Sequence, residues 1–202
     1  MATPVGHGLA GLSLLWLAGR FFSGLRPMRL AWLAIFFALL PDFDFLPGLL
    51  IGKPAAFHHG ISHSLGFGLL ASLIGSLSAR RSTRRPTGVI FLLLFFCYSS
   101  HLLLDYFGND ARPPYGIPVF WPVTSELYLS PIPLFPGVRH VRHTDGHVYE
   151  WVRGVFSWHN VWGIAVETLL LLPITLASAW RQLIRRDQPE NSKAAWSSWW
   201  SL

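Results

Sequence analysis

Apolar residues occur in five long segments of the chain, separated by polar or proline-containing connections. Their approximate limits are residues 5–25, 28–46, 60–79, 88–107 and 156–180. A helix of about 20 mostly apolar residues crosses a hydrocarbon core, and the fourth and fifth segments carry almost no charge. Pro41 and Pro47 interrupt the end of the second segment, where proline ends or kinks a helix. The pattern predicts an all-α membrane protein with about five transmembrane helices in one bundle.

The longest connection, residues 107–155, lies between the fourth and fifth segments. It is rich in proline and then polar, with a turn signal at Asp145-Gly146. We predict one polytopic membrane domain over residues 1–180, with this long extracytoplasmic loop as a candidate lid. Residues 181–202 follow as a cytoplasmic or interfacial tail. The first segment has no basic cluster before it and no small-residue cleavage site after it, so we expect a retained helix and not a signal peptide.

Composition supports the membrane assignment, since 51% of the 202 residues are hydrophobic and only 13% are charged. The net charge of +6 does not indicate nucleic-acid binding, because the basic residues lie beside apolar segments, where lipid phosphates account for them. Membrane lipids are therefore the expected partners, with a lipid-linked substrate among them. The single cysteine, Cys97, excludes an internal disulfide and is expected in the core.

Basic residues concentrate in alternate connections of the predicted bundle. The richer set comprises Arg20, Arg26, Arg29, Arg80, Arg81, Arg84, Arg85, Arg181, Arg185, Arg186 and Lys193. Because basic residues mark the cytoplasmic side of a membrane protein, the amino terminus is expected outside and the carboxyl terminus in the cytoplasm.

This orientation brings imidazoles and carboxylates from four helix ends to the outer side. They are His7 in the first segment, Asp42 and Asp44 in the second, His58, His59 and His63 before or within the third, and His101 and Asp105 in the fourth. His101 and Asp105 are four residues apart and share one helix face. A carboxylate near the hydrocarbon is tolerated when it faces the bundle interior with a partner, which here is a proton, an arginine or a metal ion.

Imidazole nitrogen and carboxylate oxygen together suit zinc, manganese or ferrous iron. We predict one or two divalent ions, zinc or manganese, held by His7, Asp42, Asp44, His58, His63, His101 and Asp105. Structural interpretations stay open, with His101 and Asp105 as a hydrogen-bonded helix pair and Asp42 and Asp44 as solvated turn residues. The remaining histidines, His140, His143, His147 and His159, are expected at the surface.

Five blocks in order carry a family resemblance over roughly residues 4–130: "TPVGHGLAG", "LLPDFDFLPG", "HHGISHSL", "HLLLDYF" and "PYGIPVFWPV". They resemble the YdjM-like family of predicted metal-dependent hydrolases in the bacterial inner membrane. The resemblance implies a multi-pass inner-membrane protein and maps the family histidines onto His58 and His63 and its hydroxyl onto Ser62. His59 stands where the family usually has arginine, and it would contact a phosphate only as a cation or through one donated hydrogen bond. Gly116, Trp121 and Pro122 match a block expected to shape the lid.

The leading hypothesis is a hydrolase for an ester or phosphoester, lipid-linked because the site lies at headgroup depth. His59 and a general base, whichever of Asp42 and Asp44 does not bind metal, would complete the catalytic set. An alternative is a non-catalytic scaffold or partner-binding protein in which the same residues form a structural metal site or polar cluster. An ion or proton carrier is disfavoured, because apart from Glu167 the cytoplasmic halves of the segments contain almost no polar groups.

Overall fold

The computed structural model of the protein describes residues 1–22, 27–53, 56–83, 85–110, 115–139 and 148–186. Within these ranges every regular element is helical, and the extended backbone pairs only in isolated bridges, Gly108 with Phe135 and Ile117 with Tyr128. The predicted all-α class is therefore confirmed for the described part of the chain.

Seven α-helices follow one another along the described chain. They are α1 (Pro4–Leu17), α2 (Pro27–Leu39), α3 (Phe45–Leu50), α4 (Leu65–Thr83), α5 (Thr87–Tyr106), α6 (Val148–Val155) and α7 (Trp158–Arg186). Three short 3-10 turns, Gly19–Phe22, Leu40–Asp44 and Ile61–His63, lie between them. The first helix is shorter than the predicted segment, because the chain tightens into the 3-10 turn after Leu17.

Three helical stretches are long and apolar enough to cross a membrane by length and composition, namely Met28–Leu50, Thr87–Tyr106 and Trp158–Ile184. Helix α1 is apolar but shorter, with 14 residues. Helix α4 has 19 residues, but its interleaved serines and its final arginines, Arg80 and Arg81, lower its hydropathy, and it is not in that set. Helix α7 continues to Arg186, into the part of the chain predicted as a tail.

Small residues bring the helices into close contact around α5. Helix α1 packs against α2, α5 and α7, and α5 also packs against α2 and α4. A β-carbon added at Gly11 of α1 would lie 2.8 Å from the carbonyl oxygen of Ala34 in α2, and one at Gly68 of α4 would lie 2.7 Å from the Tyr98 ring. Such close approach is the usual basis of helix association in membranes. Cys97 is fully buried in this core, as predicted.

The described parts of the connection after α5 fold back over the ends of the helices. Leu134 donates its backbone N–H to the Phe107 carbonyl at 2.8 Å, and Leu65 at the start of α4 donates to the Val119 carbonyl at 2.8 Å. His159, expected at the surface, is half-buried and donates from Nε2 to the Gly137 carbonyl at 3.0 Å. The other three loop histidines, His140, His143 and His147, lie outside the described residues, as do residues 187–202 of the predicted tail.

Candidate metal centre

The 3-10 turn Leu40–Asp44 presents two carboxylates at the end of α2. Pro41 lies in its first turn and has no backbone N–H to continue the α-helical pattern, so the chain tightens there. Asp42 and Asp44 consequently leave the helix axis and point toward the turn that precedes α4, where both reach the ring of His63.

His101 and Asp105 lie one turn apart on α5, and both side chains are completely buried. Nδ1 of His101 is 2.7 Å from the carbonyl oxygen of Ala38 in α2. A carbonyl oxygen only accepts, so Nδ1 carries the proton and the lone pair of Nε2 is available as a ligand. That Nε2 lies 3.2 Å from Oδ2 of Asp105.

His63 is held by the short turn Ile61–His63. The Tyr98 hydroxyl on α5 donates to the Ser62 carbonyl, which fixes this turn against the bundle. Nδ1 of His63 is 3.1 Å from Oδ2 of Asp44, and its Nε2 points the other way, 3.3 Å from Nε2 of His101. His63 thus has the same arrangement as His101, with one nitrogen held by an oxygen and the other directed at the same point.

Ligand atoms of Asp42, His63, His101 and Asp105, hereafter the four-residue cluster, lie within 4.8 Å of one another. Nε2 of His63 is 3.7 Å from Oδ1 of Asp42 and 3.6 Å from Oδ2 of Asp105, and Nε2 of His101 is 3.5 Å from Oδ1 of Asp42. Four ligands placed tetrahedrally at 2.0–2.1 Å from one ion would be about 3.3 Å apart. The observed spacings are close to that value.

Two carboxylate oxygens of this cluster also indicate a site for a cation. Oδ1 of Asp42 and Oδ2 of Asp105 are buried and have no hydrogen-bond partner among the described residues. A buried charged oxygen without a partner is costly. Two imidazoles and two carboxylates suit zinc or manganese better than calcium, so the residues present fit a divalent metal ion, although the spacing does not identify it.

Asp44 lies beside this cluster and contacts its outer side. Its Oδ1 is 2.9 Å from Nδ1 of His58, and its Oδ2 accepts from the Ser62 hydroxyl at 2.8 Å and lies 3.1 Å from Nδ1 of His63. A carboxylate on the far nitrogen of a ligating histidine fixes its tautomer and ring orientation. Asp44, predicted as a ligand, is thus placed to orient His63 and His58.

His7 also lies beside the cluster. Its ring stacks on His101 with the ring centroids 3.7 Å apart, and its Nε2 is 3.4 Å from Oδ1 of Asp105. Neither ring nitrogen has a hydrogen-bond partner among the described residues. That oxygen of Asp105 accepts the backbone N–H of Ala2 at 2.8 Å. The structure therefore places His7, from the first segment, against the ring face of His101 and beside Asp105.

His58 and His59 complete the group on the side of Asp44. Their ring centroids are 4.3 Å apart, and Nδ1 of His59 lies 3.5 Å from Oδ2 of Asp110. Asp110 follows the end of α5 and was not identified from the sequence, because a carboxylate in a loop carries no periodic signal. The eight predicted site residues all lie in one connected group.

Two histidines in the connection between α3 and α4, His58 and His63, have shifted pKa values. Burial lowers the pKa of His58 to about 4, although the Asp44 carboxylate favours its charged form. For His63, burial also disfavours the charge, but the Asp42, Asp44 and Asp105 carboxylates outweigh it and raise the pKa to about 9. A proton on His63 therefore balances these carboxylates when no cation does so.

Glu167 lies at the level of this site. Its carboxylate oxygens accept the backbone N–H of Thr3 at 2.9 Å, and the Thr3 hydroxyl also donates to it. The sequence interpretation placed Glu167 in the cytoplasmic half of the last segment. In the structure Glu167 instead contacts Thr3, the residue that caps the start of α1. Helix α7 starts at Trp158, so its first turns extend beyond the start of α1 and Glu167 lies beside that start.

Helical packing around a buried histidine and aspartate cluster defines a membrane protein with an internal site that could bind a metal. Residues 1–185 match the YdjM inner membrane protein family, and the chain belongs to that family. It is 34% identical over 114 residues to the inner membrane protein YbcI of Escherichia coli (strain K12), covering 54% of this chain and 62% of that protein. The match thus spans less than two thirds of this relative. No solved structure matches the chain.

Proposed function

We propose that the protein is a metal-dependent hydrolase of the inner membrane that acts on an ester or phosphoester at the extracytoplasmic face. The observation that carries the proposal is the spacing of the four-residue cluster, in which two buried carboxylate oxygens lack a hydrogen-bond partner among the described residues. A divalent cation there would supply Lewis-acid activation of water and neutralise charge on a phosphoryl or acyl oxygen.

The roles of the surrounding residues follow from their contacts. Asp42, His63, His101 and Asp105 would hold the cation. Asp44 would orient His63 through Nδ1 and, as the carboxylate outside the cluster, would take the general-base role, with the Ser62 hydroxyl 2.8 Å away as its relay.

A lipid-linked substrate is supported by the apolar surface beside the site. Leu46, Leu50, Phe57 and Ile61 are exposed on the segment that connects Asp44 to His63, and Leu50 reaches 89% exposure. Such residues are suited to the boundary between headgroups and acyl chains. The Asp42 side chain is 16% exposed, which leaves an approach to the cluster from this side.

The proposed arrangement in the membrane adds α1 and α4 to the three long apolar stretches, giving about five crossings, with the amino terminus outside. Residues 107–155 would then lie on the outer side, beside the site, as a candidate lid.

A non-catalytic role is the second candidate. Four protein ligands can close the coordination of one ion, as in structural zinc sites, and three of the four side chains are completely buried. In that case the cluster would join α2, α5 and the turn before α4 without turning over a substrate.

One preparation of the purified protein distinguishes the two candidates. Metal content is measured, and a panel of lipid phosphoesters and esters is then assayed before chelation, after chelation and after addition of zinc or manganese. The hydrolase proposal expects turnover that chelation removes and metal restores. Stoichiometric metal with no turnover on any substrate, and a large loss of thermal stability on chelation, would support the structural role. Glu126→Gln, at an exposed loop position away from the cluster, is the control variant.

A further inference from the structure

Glu167 of α7 is a completely buried acidic residue to which the proposed hydrolase assigns no role. Both of its carboxylate oxygens accept the backbone N–H of Thr3 at 2.9 Å, and one also accepts the Thr3 hydroxyl. An acidic side chain inside a membrane helix is costly and usually marks a functional site. Its contacts with the segment before α1 therefore indicate what it does.

That segment joins Glu167 to the four-residue cluster. Ala2, the residue before Thr3, donates its backbone N–H to Oδ1 of Asp105 at 2.8 Å. Two successive N–H groups thus bind carboxylates from two different helices, Asp105 of α5 and Glu167 of α7. Ala2 and Thr3 are 0% and 2% exposed. The position of the Ala2 N–H is consequently fixed relative to both helices.

The contact with Ala2 determines which oxygen of Asp105 faces the cluster. Oδ1 accepts the Ala2 N–H, whereas Oδ2 lies 3.2 Å from Nε2 of His101 and 3.6 Å from Nε2 of His63. Hydrogen bonds to the groups around a metal ion orient its ligands, and they apply to ligating carboxylates as well as to histidines. The Ala2 N–H therefore directs Oδ2 of Asp105 toward the place of the ion.

Gly6 provides the space that Glu167 needs at the start of α1. A β-carbon at Gly6 would collide with the Glu167 carboxylate. The next residue is His7, whose ring stacks on His101, and its backbone N–H donates to the Thr3 carbonyl at 3.1 Å. The Glu167 contact thus holds the whole beginning of α1 against the cluster.

We propose that Glu167 is a positioning residue for the metal site: it holds Thr3 and, through the adjacent Ala2 N–H, orients Asp105 toward the ion. The inference rests on the proposed function in one respect, that Asp105 binds a metal ion. It does not require turnover of a substrate.

Two other arrangements would leave Glu167 without this role. In the first, Glu167 only joins α7 to α1, as Thr175 does through the Ser13 hydroxyl at 2.8 Å. In the second, the loop alone holds the segment, because Val138 donates its backbone N–H to the Met1 carbonyl at 3.1 Å. Both alternatives predict that zinc affinity does not depend on Glu167.

The test compares zinc affinity with stability in variants of the full chain in detergent. Zinc affinity is measured by competition with a chelating dye, and thermal unfolding is recorded without metal. Glu167→Ala is expected to lower zinc affinity at least about tenfold, the lower end of the range for an outer partner. Glu167→Gln should bind zinc within about threefold of the unmodified protein, since its amide oxygen accepts the Thr3 N–H and its NH₂ group donates to the Thr3 hydroxyl.

Thr175→Val is the matched control for helix joining. It removes a buried polar contact between the same two helices, at Ser13, which lies about 9 Å along α1 from His7. This variant is expected to lower the midpoint of thermal unfolding and to leave zinc affinity unchanged.

Ala2→Pro tests the link between the two acidic residues and does not depend on the folding of Glu167→Ala. Proline has no backbone N–H for Asp105 to accept, so zinc affinity is expected to fall about 10–100-fold. Adding Glu167→Ala to Ala2→Pro should lower the affinity by less than the product of the separate effects, because both changes act on one contact. The absorption bands of bound cobalt should change in the same way in both single variants.

Equal zinc affinity in Glu167→Ala and Thr175→Val would overturn the inference. Independent effects of Ala2→Pro and Glu167→Ala would do so as well. A Glu167→Gln protein as weak as Glu167→Ala would also overturn it, since the effect would then come from charge and not from hydrogen bonds. Zinc binding without turnover of any ester would contradict the hydrolase and leave this inference standing, whereas a chain that binds no zinc would contradict both.

Discussion

Nε2 of His101 lies 3.2 Å from Oδ2 of Asp105, one helical turn along α5, and both side chains are completely buried. The Ala38 carbonyl at Nδ1 of His101 commits that ring to present a lone pair toward the carboxylate. Two groups with lone pairs directed at each other repel unless a cation or a proton lies between them. This pair therefore allows the most direct test of the metal site.

Asp105→Asn distinguishes a metal-ligand role for Asp105 from a role in joining helices. If Asp105 binds the ion, the amide is expected to lower zinc affinity by more than the roughly 10–100-fold typical of removing an outer partner. If Asp105 only joins helices, zinc affinity should not change, and the free energy of unfolding should fall by about 0.6 kcal/mol, the average for transmembrane hydrogen bonds. His101→Ala and the double variant should lose about as much zinc affinity as Asp105→Asn, because the two residues act as one ligand pair. A folded Asp105→Asn protein with full metal occupancy would exclude the ligand role.

Asp44→Asn tests a residue that orients ligands. The Asp44 carboxylate contacts Nδ1 of both His58 and His63, and Nδ1 of His63 donates to it when Nε2 of His63 binds metal. An amide accepts through one oxygen only, so its NH₂ group would face one of these N–H groups. We expect zinc affinity to fall about 10–100-fold, measured by competition with a chelating dye, and Glu126→Gln should bind as the unmodified protein does. Unchanged affinity would contradict the orienting role.

Proton release on metal binding follows from His63. Its pKa of about 9 means that the ring is charged at pH 7 in the metal-free protein, and an ion at Nε2 must displace that proton. About one proton is expected to be released per ion at pH 7, and apparent affinity should rise about tenfold per pH unit up to about pH 9. Calorimetry in buffers of different ionisation enthalpy measures the release, and heats that do not depend on the buffer would refute it.

The raised pKa of His63 also affects the stability of the metal-free fold, with a pH dependence opposite to that of metal affinity. A raised pKa stabilises the metal-free fold fully below the ordinary value of 6.5 and progressively less as pH rises through about 9. Without metal, the contribution of His63 to thermal stability should therefore decline over that range. Saturating metal should cancel this decline, because the metal-bound ring has no proton at Nε2 to lose.

Gly11→Ala tests the close contact that brings α1 to α2. A β-carbon there would lie 2.8 Å from the Ala34 carbonyl oxygen and 2.8 Å from the Ala38 β-carbon. Forcing an extra methyl group into such a contact typically costs about 1–3 kcal/mol, measured as a lower midpoint of thermal unfolding in detergent. Gly88→Ala is the matched control, since a β-carbon at Gly88 meets nothing within 4 Å. Equal effects of the two substitutions would mean that the α1–α2 contact is not tight.

The orientation in the membrane can be read with a single added cysteine. Asn109 is exposed beyond the end of α5, and the native Cys97 is buried. Asn109→Cys should react with an impermeant maleimide on intact spheroplasts, whereas the unmodified chain should give no background. A fluorescent protein fused after Leu202 should fluoresce, as expected in the cytoplasm. Labelling of position 109 only after membrane rupture would invert the proposed topology.

Local periodicity accounts for what the sequence predicts well. The spacing of His101 and Asp105 places them on one face of α5, because a helix repeats every 3.6 residues whatever surrounds it. Pro41 stops α2 for an equally local reason, the missing backbone N–H. The all-α class and the gathering of eight polar residues at one end of the helices follow from such features.

The different roles of Asp42 and Asp44 are not local. Both lie in one 3-10 turn, and only the position of His63, set by the Tyr98 contact with the Ser62 carbonyl, directs Asp42 into the four-residue cluster and Asp44 to its outer side. Asp110 and Glu167 obtain their partners from segments distant in sequence. The sequence by itself determined the helices and which residue types meet at one end. Tertiary packing decided which oxygen faces which nitrogen, because distances of 3 to 4 Å between helices depend on how closely residues such as Gly11 and Ala34 approach.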